Sequence, residues 1–509
     1  MDKFLRTIER LGNKLPDVTI LFLCTLVLAM FCSFALSFVD FSYHMPNGGE
    51  KIVVKNMLHP NEIFIFLSKL MPNFISFPPL VVVLTATIGM GVMEASGFLR
   101  VLLIKIAGST PRALLTPVII FISIICHVIA DSTYIFLMPI AAALFAASGK
   151  HPVAGLAAAF AGLGGAFCAS FLPSIVDPLL QQLTEKAAHI IDADVKVNVL
   201  CNYFLSFSSA FILIFCCWFM SERVVEPFLN KNLPIDQNYE KMDFSKDALS
   251  DTEKRAFRAA SWTFIIMAVI VIAFAWPSDS PLRGANGSLT AGDGILMKGI
   301  VAFLFFFMAL PGYVFGRVTG KYKSFSAVSS AMSESLQPLV GFIVFAFVCG
   351  QFLYVFNHSN LSKLLAVSGA ELLKSMHMPG GFTLFGVIVF TGLLNLIIVS
   401  ASSKWSVLAS IFVPMLMLLG ISPELTQAAF KVSDSAMNIV TPLFPFYPLL
   451  IAYCRKYCST TGIGTMMSMM IPYSIMMMVV LTGMLYAFWI FDIPMGFESS
   501  YSYAPNAAK

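Results

Sequence analysis

Charged side chains are scarce in this sequence, and their scarcity decides the class of protein. Only 12% of its 509 residues are Asp, Glu, Lys or Arg, whereas 58% are apolar. Soluble domains carry roughly 25% charged residues, so the composition is that of an integral membrane protein. The formal net charge of +4 is small, and its spread over several loops gives no reason to expect a nucleic-acid partner.

Motifs of several enzyme classes are also missing. The chain has no phosphate-cradling G-x-x-x-x-G-K-[ST] loop, which a primary pump needs, and its seven histidines never form H-E-x-x-H. Its ten cysteines are scattered, and the one close pair outside the apolar runs, Cys454 and Cys458, lacks zinc-ligand spacing. The sequence therefore predicts no enzyme, no metal site and no cofactor.

Long apolar runs are what the sequence has instead. The first, Val18–Val39, is 22 residues long, and a helix of about 20 residues crosses the hydrocarbon core of a membrane. No small-residue cleavage site follows it, so we interpret it as a first span and not as a signal peptide. Nine spans are predicted, near residues 18–39, 79–104, 152–193, 200–220, 256–276, 295–316, 338–365, 423–452 and 467–491.

Two parts of the sequence resemble each other. "PLVVVLTATIGMG" at 79–91 and "PLVGFIVFAFVCG" at 338–350 share Pro-Leu-Val and a glycine twelve positions after the proline. Farther along, Tyr134 and Trp405 each stand 18 residues before the proline of a Gly-x-x-Pro segment. Such matches in the same order predict an internal repeat, which is the usual build of secondary transporters.

Charge placement predicts that the second copy is inverted relative to the first. Basic residues mark one side of the first copy, whereas the equivalent points of the second, 369–381 and Pro423-Glu424, are mixed or acidic. Loop 221–258 is basic and mixed in charge and is predicted to be cytoplasmic, whereas loop 277–294 and the C-terminus are predicted to be external. The N-terminus is predicted to be cytoplasmic because it carries Lys3, Arg6, Arg10 and Lys14.

Two further apolar segments must begin and end on the same side of the membrane. A polar patch interrupts each of them, Asp131-Ser132-Thr133 in the first copy and residues 400–404 in the second. We interpret both as re-entrant hairpins, because irregular backbone at membrane depth survives only against protein or a watery cavity. Helix breaks are predicted in the third span at Pro173 and Pro178, and in the eighth at Pro442 and Pro445.

The predicted fold class is thus an all-α polytopic membrane protein, with nine transmembrane helices plus two re-entrant hairpins in an inverted repeat. One membrane domain fills residues 1–509. Its predicted parts are a first repeat at 61–196, scaffold spans with a cytoplasmic loop at 197–330, an inverted second repeat at 331–458, and a last span with an external tail at 459–509.

Three stretches carry a resemblance to a known family. "SASSKW" (400–405), "GISPELTQAAFKVSDSAMNIVTPL" (420–443) and "VDPLL" (176–180) resemble the AbgT family of aminobenzoyl-glutamate transporters and antimetabolite exporters. The resemblance implies nine spans and two hairpins in a homodimer of the bacterial inner membrane. It also implies secondary active transport of p-aminobenzoyl-glutamate, related aromatic acids or sulfonamides, driven by the proton gradient.

The resemblance also implies site residues. The residues that match the family's functional positions are Asp177, Asn395, Ser402, Trp405, Pro423, Asp434 and Pro442. We predict substrate binding by Asn395, Ser402, Trp405, Pro423, Lys431, Asp434 and Pro442, and we take Asp177 and Asp434 as candidates for proton coupling. The polar tips add Asp131, Ser132 and Ser403 as further candidates. The chain departs from the family pattern at Lys431, where the family usually has arginine, and around Ser170, where an asparagine is expected. Lysine keeps the charge but loses the planar fork that grips a carboxylate, which bears on substrate preference.

Several of these residues have structural alternatives. Asp434 and Lys431 lie one turn apart on one helical face, which suits either a structural ion pair or a cavity-facing site. Asp177 would also serve as a helix cap before Pro178. Trp405 is predicted to stack on an aromatic substrate, with lipid-facing or core packing as the alternative. The tip serines would also satisfy loose backbone groups, and Lys404 would point to an interface.

The predicted roles follow from charge. Lys431 is predicted to attract a substrate carboxylate with Asp434 as its partner, and Asp177, without an evident cationic neighbour in sequence, is predicted to carry the proton. Sodium-coupled carboxylate transport is the alternative function. A channel and an intramembrane aspartyl protease are alternatives of other classes, and the inverted repeat disfavours both. The sequence leaves the direction of transport open.

Overall fold

The fold is seen in a computed structural model, which describes residues 18–43, 51–108, 111–126, 133–236, 249–396, 398–441, 443–444 and 446–504. Within these ranges the chain is mainly helical, and an isolated β-bridge pairs Ile421 with Ser502. The all-α prediction is confirmed.

Twenty helices of seven or more residues lie in the described ranges. They are α1 Val18–Leu36, α2 Pro60–Ile75, α3 Pro78–Ser96, α4 Phe98–Gly108, α5 Leu115–Ile125, α6 Thr133–Ala147, α7 Pro152–Phe160, α8 Val176–Ala188, α9 Tyr203–Met220, α10 Glu226–Asn232, α11 Asp251–Ala275, α12 Ile300–Val318, α13 Phe325–Leu336, α14 Val340–His358, α15 Leu361–Ser375, α16 Gly380–Asn395, α17 Ala401–Met417, α18 Pro423–Asn438, α19 Tyr447–Arg455 and α20 Ile463–Ile490. Shorter turns are the helix Ile295–Lys298, 3-10 turns at Arg112–Leu114 and Gln337–Leu339, and π turns at Ala161–Gly165 and Ser221–Val225.

Seven continuous helical stretches in the described ranges are long and apolar enough to cross a membrane. They are Thr19–Leu36, Pro60–Ser96, Tyr203–Asn232, Asp251–Ala275, Ile300–Val318, Val340–His358 and Ile463–Ile490. Each overlaps one of the predicted spans, although Pro60–Ser96 begins 19 residues before the predicted 79–104 and contains both α2 and α3. The two remaining predicted spans, 152–193 and 423–452, are each divided into two shorter helices. The multi-pass helical architecture is confirmed, and the total of nine spans stays a prediction.

The two divided spans break where irregular backbone replaces the helix. In the first, α7 passes into the π turn Ala161–Gly165, and the chain is irregular until α8 begins at Val176. Pro173 lies in this break, whereas Pro178 lies inside the first turn of α8, where a missing N–H leaves no hydrogen bond unmade. In the second, α18 ends at Asn438 and α19 begins at Tyr447. Pro442 and Pro445 lie outside the described residues.

The two breaks touch each other because glycines line the first. A Cβ on Gly164 would lie 3.0 Å from Cγ2 of Ile439, and one on Gly165 would lie 2.6 Å from Sδ of Met477 on α20. Ile439 is the C-cap residue that directly follows α18. The absence of side chains at 164 and 165 therefore lets the π turn approach the end of α18 directly.

Pairs of shorter apolar helices stand where the hairpins are predicted, α5 with α6 and α16 with α17. Helix α17 begins at Ala401 because Ser400 is its N-cap, with Oγ accepting the Ser403 N–H at 3.4 Å. The tip between α5 and α6 contains Asp131 and Ser132, which lie outside the described residues. That either pair is re-entrant stays a prediction.

The order of helices recurs along the chain. A long apolar helix is followed by a shorter helix, then by a pair of short apolar helices and then by a divided span. This order is α3, α4, α5 with α6, and α7 with α8 in the first part of the chain, and α14, α15, α16 with α17, and α18 with α19 in the second. This order supports the predicted repeats at 61–196 and 331–458. Their inversion relative to the membrane stays a prediction.

Candidate transport site

Helix α18 is almost fully enclosed by its neighbours. It lies against α8, α16, α17 and α20, and 15 of its 16 residues are buried although many are polar. A buried polar group costs free energy unless it is hydrogen-bonded, so each polar side chain of α18 needs a partner on a neighbouring element.

One buried ion pair joins α18 to the first break. Nζ of Lys431 lies 3.1 Å from Oδ1 of Asp177 and donates a second hydrogen bond to Oγ of Ser206 at 3.1 Å. The other oxygen of Asp177 accepts from the backbone N–H and the hydroxyl of Ser174, at 2.9 and 3.1 Å. The pair therefore connects α8, α9 and α18, and thus the two parts of the chain that resemble each other.

This geometry corrects two expectations. Lys431 does not pair with Asp434, and Asp177 does have a cationic neighbour. Spacing along α18 shows only which groups share its faces, whereas the partner of Lys431 is 254 positions away in sequence. The capping alternative for Asp177 is compatible with the pair, because α8 begins at Val176 and the carboxylate accepts the N–H of Ser174, just before the helix.

A second buried ion pair joins α18 to α17. Nζ of Lys404 contacts Oδ1 of Asp434 and also donates to Oδ1 of Asn395, and both charged side chains are 0% exposed. The amide of Asn395 donates to the backbone carbonyl of Asp434 at 3.0 Å and to Oδ1 of Asn438 at 2.9 Å. The interpretation of Lys404 as an interface residue is therefore wrong, since its charge is neutralised inside the protein.

A cavity of about 330 Å³ opens between the two breaks, the start of α6 and the start of α17. Its volume is within the range of small-molecule sites. The ring of Tyr134 stacks on Phe446 with 4.1 Å between centroids and 4° between planes. The lining residues are Cys126, Tyr134, Leu163, Gly164, Phe167, Val176, Leu179, Val399, Ser400, Ala401, Ser402, Asn438, Phe444 and Phe446. The walls are thus mainly apolar and aromatic, with a small set of polar groups from α17 and α18.

Asn438 belongs to both the cavity and the second ion pair. It lines the cavity, accepts from Asn395, and directs Nδ2 towards Oδ2 of Asp434 at 3.5 Å. A ligand that hydrogen-bonds to Asn438 would therefore disturb the surroundings of the buried pair. Sequence reasoning missed this residue, although its position four after Asp434 on the same helical face was a usable signal.

Trp405 does not line this cavity. It is fully buried, its ring lies 4.5 Å from that of Phe430, and Nε1 donates to Oγ1 of Thr184 at 2.9 Å. One face of the indole is thus covered by protein in this conformation, and substrate stacking on it stays a prediction. Its repeat counterpart, Tyr134, is the residue whose ring lines the cavity.

The serines at 400, 402 and 403 hydrogen-bond to one another, and two of them also line the cavity. Oγ of Ser400 contacts the hydroxyls of Ser402 and Ser403 at 3.1 and 2.9 Å. Ser402 also lines the cavity, whereas Ser403 is buried. Ser402 is therefore placed both to hydrogen-bond to Ser400 and to contact a ligand in the cavity, and its role in substrate binding stays a prediction.

The remaining predicted residues lie elsewhere. Pro423 is buried at the first position of α18, eleven residues before Asp434, which is about 16 Å along a helix. Pro442, Asp131 and Ser132 lie outside the described residues. In the part of the chain that the structure describes, no three His, Cys, Asp or Glu side chains group together as a metal site.

Comparisons with known proteins give the chain its family. The model of the AbgT putative transporter family matches residues 3–503. The p-aminobenzoyl-glutamate transport protein of Escherichia coli K12 is 30% identical over 489 residues, which are 96% of this chain and 95% of that protein. The solved Alcanivorax borkumensis YdaH transporter has a TM-score of 0.87 and 34% identity, over 94% of this chain and 100% of that one. Neisseria gonorrhoeae MtrF, described within a class of antimetabolite efflux pumps, has a TM-score of 0.88 and 33% identity, over 98% and 100%.

These matches run over nearly the whole chain and agree with its helical, multi-pass architecture. The relatives are transporters and not enzymes, which excludes the protease alternative. The resemblance seen in the hairpin and α18 motifs is confirmed: the chain is a membrane transporter that belongs to the AbgT family.

Proposed function

We propose that this chain is a secondary active transporter of p-aminobenzoyl-glutamate or related aromatic acids and sulfonamide-type antimetabolites, coupled to protons. The name of the Escherichia coli relative supports the first substrate, and the description of MtrF supports the second. The single observation that carries the proposal is an aromatic-walled cavity set beside a buried Lys–Asp pair, at the meeting of both divided spans.

The cavity suits an aromatic acid by its chemistry. The rings of Tyr134, Phe444 and Phe446 offer faces and edges for a benzoyl group, since aromatic pairs gain about 0.5–1.5 kcal/mol beyond the area they bury. Hydroxyls of Ser400 and Ser402 and the amide of Asn438 are positioned to hydrogen-bond polar groups of the same ligand. An apolar wall with a few convergent polar groups is typical of small-molecule sites.

The two ion pairs supply a route to proton coupling. Lys404 and Lys431 are each neutralised by an aspartate, Asp434 and Asp177. Protonation of either aspartate would leave its lysine as a buried, unpaired cation, which is costly until another anion neutralises it. A substrate carboxylate is such an anion, so anionic substrate and proton would favour each other's binding. Asp177 and Asp434 are accordingly the proposed proton-coupling groups.

Sodium-coupled carboxylate transport is the second candidate function. The observation that favours it is the cluster of three hydroxyls from Ser400, Ser402 and Ser403 at the start of α17. Hydroxyl oxygens and free backbone carbonyls at interrupted helices are the groups that hold sodium in transporters.

The test is uptake of labelled p-aminobenzoyl-glutamate by proteoliposomes, with pH and sodium gradients imposed separately. We expect accumulation with the pH gradient alone and none with the sodium gradient alone. Accumulation with sodium alone would favour the second candidate, and saturable uptake in either case would exclude a channel. Sulfonamide competition in the same vesicles tests the second substrate class.

The arrangement in the membrane is part of the proposal. We place the protein in the bacterial inner membrane as a homodimer, with the N-terminus cytoplasmic, the C-terminus external and the second repeat inverted. The basic N-terminal charges support the orientation, and the recurring helix order supports the repeat.

A further inference from the structure

Buried acidic and basic side chains do not balance in the described part of the chain. Apart from histidine, five ionisable Asp, Glu, Lys or Arg side chains are buried there: Asp177, Lys404, Glu424, Lys431 and Asp434. Lys431 pairs with Asp177, and Lys404 pairs with Asp434. Three acids thus face two bases, and Glu424 is the acid that remains.

The carboxyl of Glu424 has little to stabilise a negative charge. The residue is 5% exposed, and its Oε2 is buried without a hydrogen-bond partner among the described residues. The polar groups beside the carboxyl are its own backbone amide and Ser422. The hydroxyl of Ser422 is shared with other groups, because it also donates to the carbonyl of Ser500 at 2.6 Å and accepts the Leu425 N–H at 3.1 Å.

Among the described residues, no cation faces Glu424 from the elements packed around it. The segment before α9 contributes the thiol of Cys201 and the amide of Asn202, which donates to the Glu424 carbonyl at 3.1 Å. The C-terminal tail contributes Ser500 and the backbone of Tyr501. On α18 itself the next charged residue is Lys431, seven positions on and about 10 Å along the helix, where Asp177 already neutralises it.

We propose that Glu424 is a neutral, protonated acid in this conformation and is a third coupling residue, which holds the transported proton while both aspartates are ionised. The inference rests on the proposed proton coupling. An isolated carboxylate in a buried site is far costlier than its acid form. The N-terminal end of α18 favours a negative charge, but that effect is small beside the loss of hydration.

A hydrogen-bonded chain connects the first turn of α18 to the rest of the site. Asn202, which donates to the Glu424 carbonyl, accepts from Gln427 at 2.9 Å. Gln427 in turn accepts from the hydroxyl of Thr184 at 2.6 Å, and Thr184 accepts from Trp405 at 2.9 Å. The first turn of α18 is thereby tied to α8 and α17, so its displacement would move both ion pairs.

The C-terminal tail covers the route by which this proton would leave. The N–H of Ser422 donates to the Tyr501 carbonyl at 3.2 Å, and the N–H of Tyr503 donates to the Gly420 carbonyl at 2.9 Å. When the tail separates from residues 420–422, water reaches the carboxyl, and Glu424 releases its proton to that water. In the alternate conformation, with the tail closed, it regains a proton from the opposite side of the membrane, so one proton crosses per cycle and no other reactant is required.

Infrared spectroscopy tests the protonation state without any substrate. The purified transporter in lipid should show a buried carboxylic-acid carbonyl band that is absent from Glu424→Gln and shifted in Glu424→Asp. Asp177→Asn is the matched control, because that aspartate is ionised in its pair and its loss should leave the band in place. An unchanged band in Glu424→Gln would overturn the assignment.

Transport tests the coupling role. In proteoliposomes, Glu424→Gln should lose pH-driven accumulation of p-aminobenzoyl-glutamate while exchange of internal for external substrate continues, and Glu424→Asp should recover part of the accumulation. Accumulation by Glu424→Gln equal to that of the native chain would overturn the coupling role. If the native chain responds to sodium alone, the proton-coupled function fails and so does this role, although the infrared band would still report a protonated Glu424.

Discussion

Replacing Lys404 by methionine should destabilise the protein more than any single change at an exposed ion pair. Methionine fills most of the lysine volume but leaves Asp434 as a buried carboxylate that is 0% exposed. Breaking a buried pair from one side costs about 3–5 kcal/mol. Asn438 still directs its amide towards the Asp434 carboxylate at 3.5 Å, so we expect about 3 kcal/mol, the lower end of that range.

A double variant separates the pair from general packing damage. Lys404→Met with Asp434→Asn removes both charges, so the free energy of unfolding should recover by about 0.5–3 kcal/mol relative to the single change, the usual range of coupling between contacting residues. Equilibrium unfolding in mixed micelles measures each variant. Lys254→Met is the matched control, because its pair with Asp251 spans 3.1 Å on the surface and should contribute only about 0.2–1 kcal/mol. Equal destabilisation in the single and double variants would refute the reasoning.

Three further predictions concern the site and the topology. Lys431→Ala should weaken binding of acidic substrates, measured as KM in proteoliposomes, and should also destabilise the protein, because it leaves Asp177 as a buried carboxylate without its lysine. Lys431→Arg should retain both binding and stability, and an unchanged KM in the alanine variant would contradict the role. Tyr134→Ala should weaken binding of an aromatic substrate by roughly 1–3 kcal/mol, on the scale of base–aromatic stacking, as measured by calorimetric titration. Trp405→Phe should mainly reduce stability, by about 1 kcal/mol in equilibrium unfolding, through the lost hydrogen bond to Thr184. A loss of substrate binding in Trp405→Phe with none in Tyr134→Ala would instead identify Trp405 as the stacking residue. A cysteine at Lys231 should react with an impermeant reagent only from the cytoplasm and one at Lys298 only from outside, and labelling of both from one side would contradict the proposed orientation.

The fold was largely predictable because its signals are local. Apolar runs long enough to span a membrane coincide with seven continuous helical stretches in the described ranges. Ser422-Pro423 and His151-Pro152 mark helix starts that the structure has at the same positions. The exact break points were less predictable. Pro178 reads as a helix breaker in sequence, yet it occupies the first turn of α8, where proline is tolerated.

The pairing of charges was not predictable because it is not local. Asp177 and Lys431 lie 254 positions apart, and a single sequence shows only which charges share a helical face. Lys404 stands next to Trp405 in a serine-rich stretch, and nothing there indicates that its side chain is buried against α18. Asn438 was missed for the same reason: its importance depends on two contacts, one with the cavity and one with Asp434, that only the folded structure shows.

The two buried ion pairs, Lys404–Asp434 and Lys431–Asp177, affect how the protein responds to membrane voltage. Each pair sums to zero charge, so the segments that carry them can change position in the electric field without moving charge of their own. Moving one elementary charge through 100 mV costs about 2.3 kcal/mol, a cost the protein avoids while both pairs stay closed. The current that accompanies transport should then report only the charge of the substrate and of the ions that cross with it.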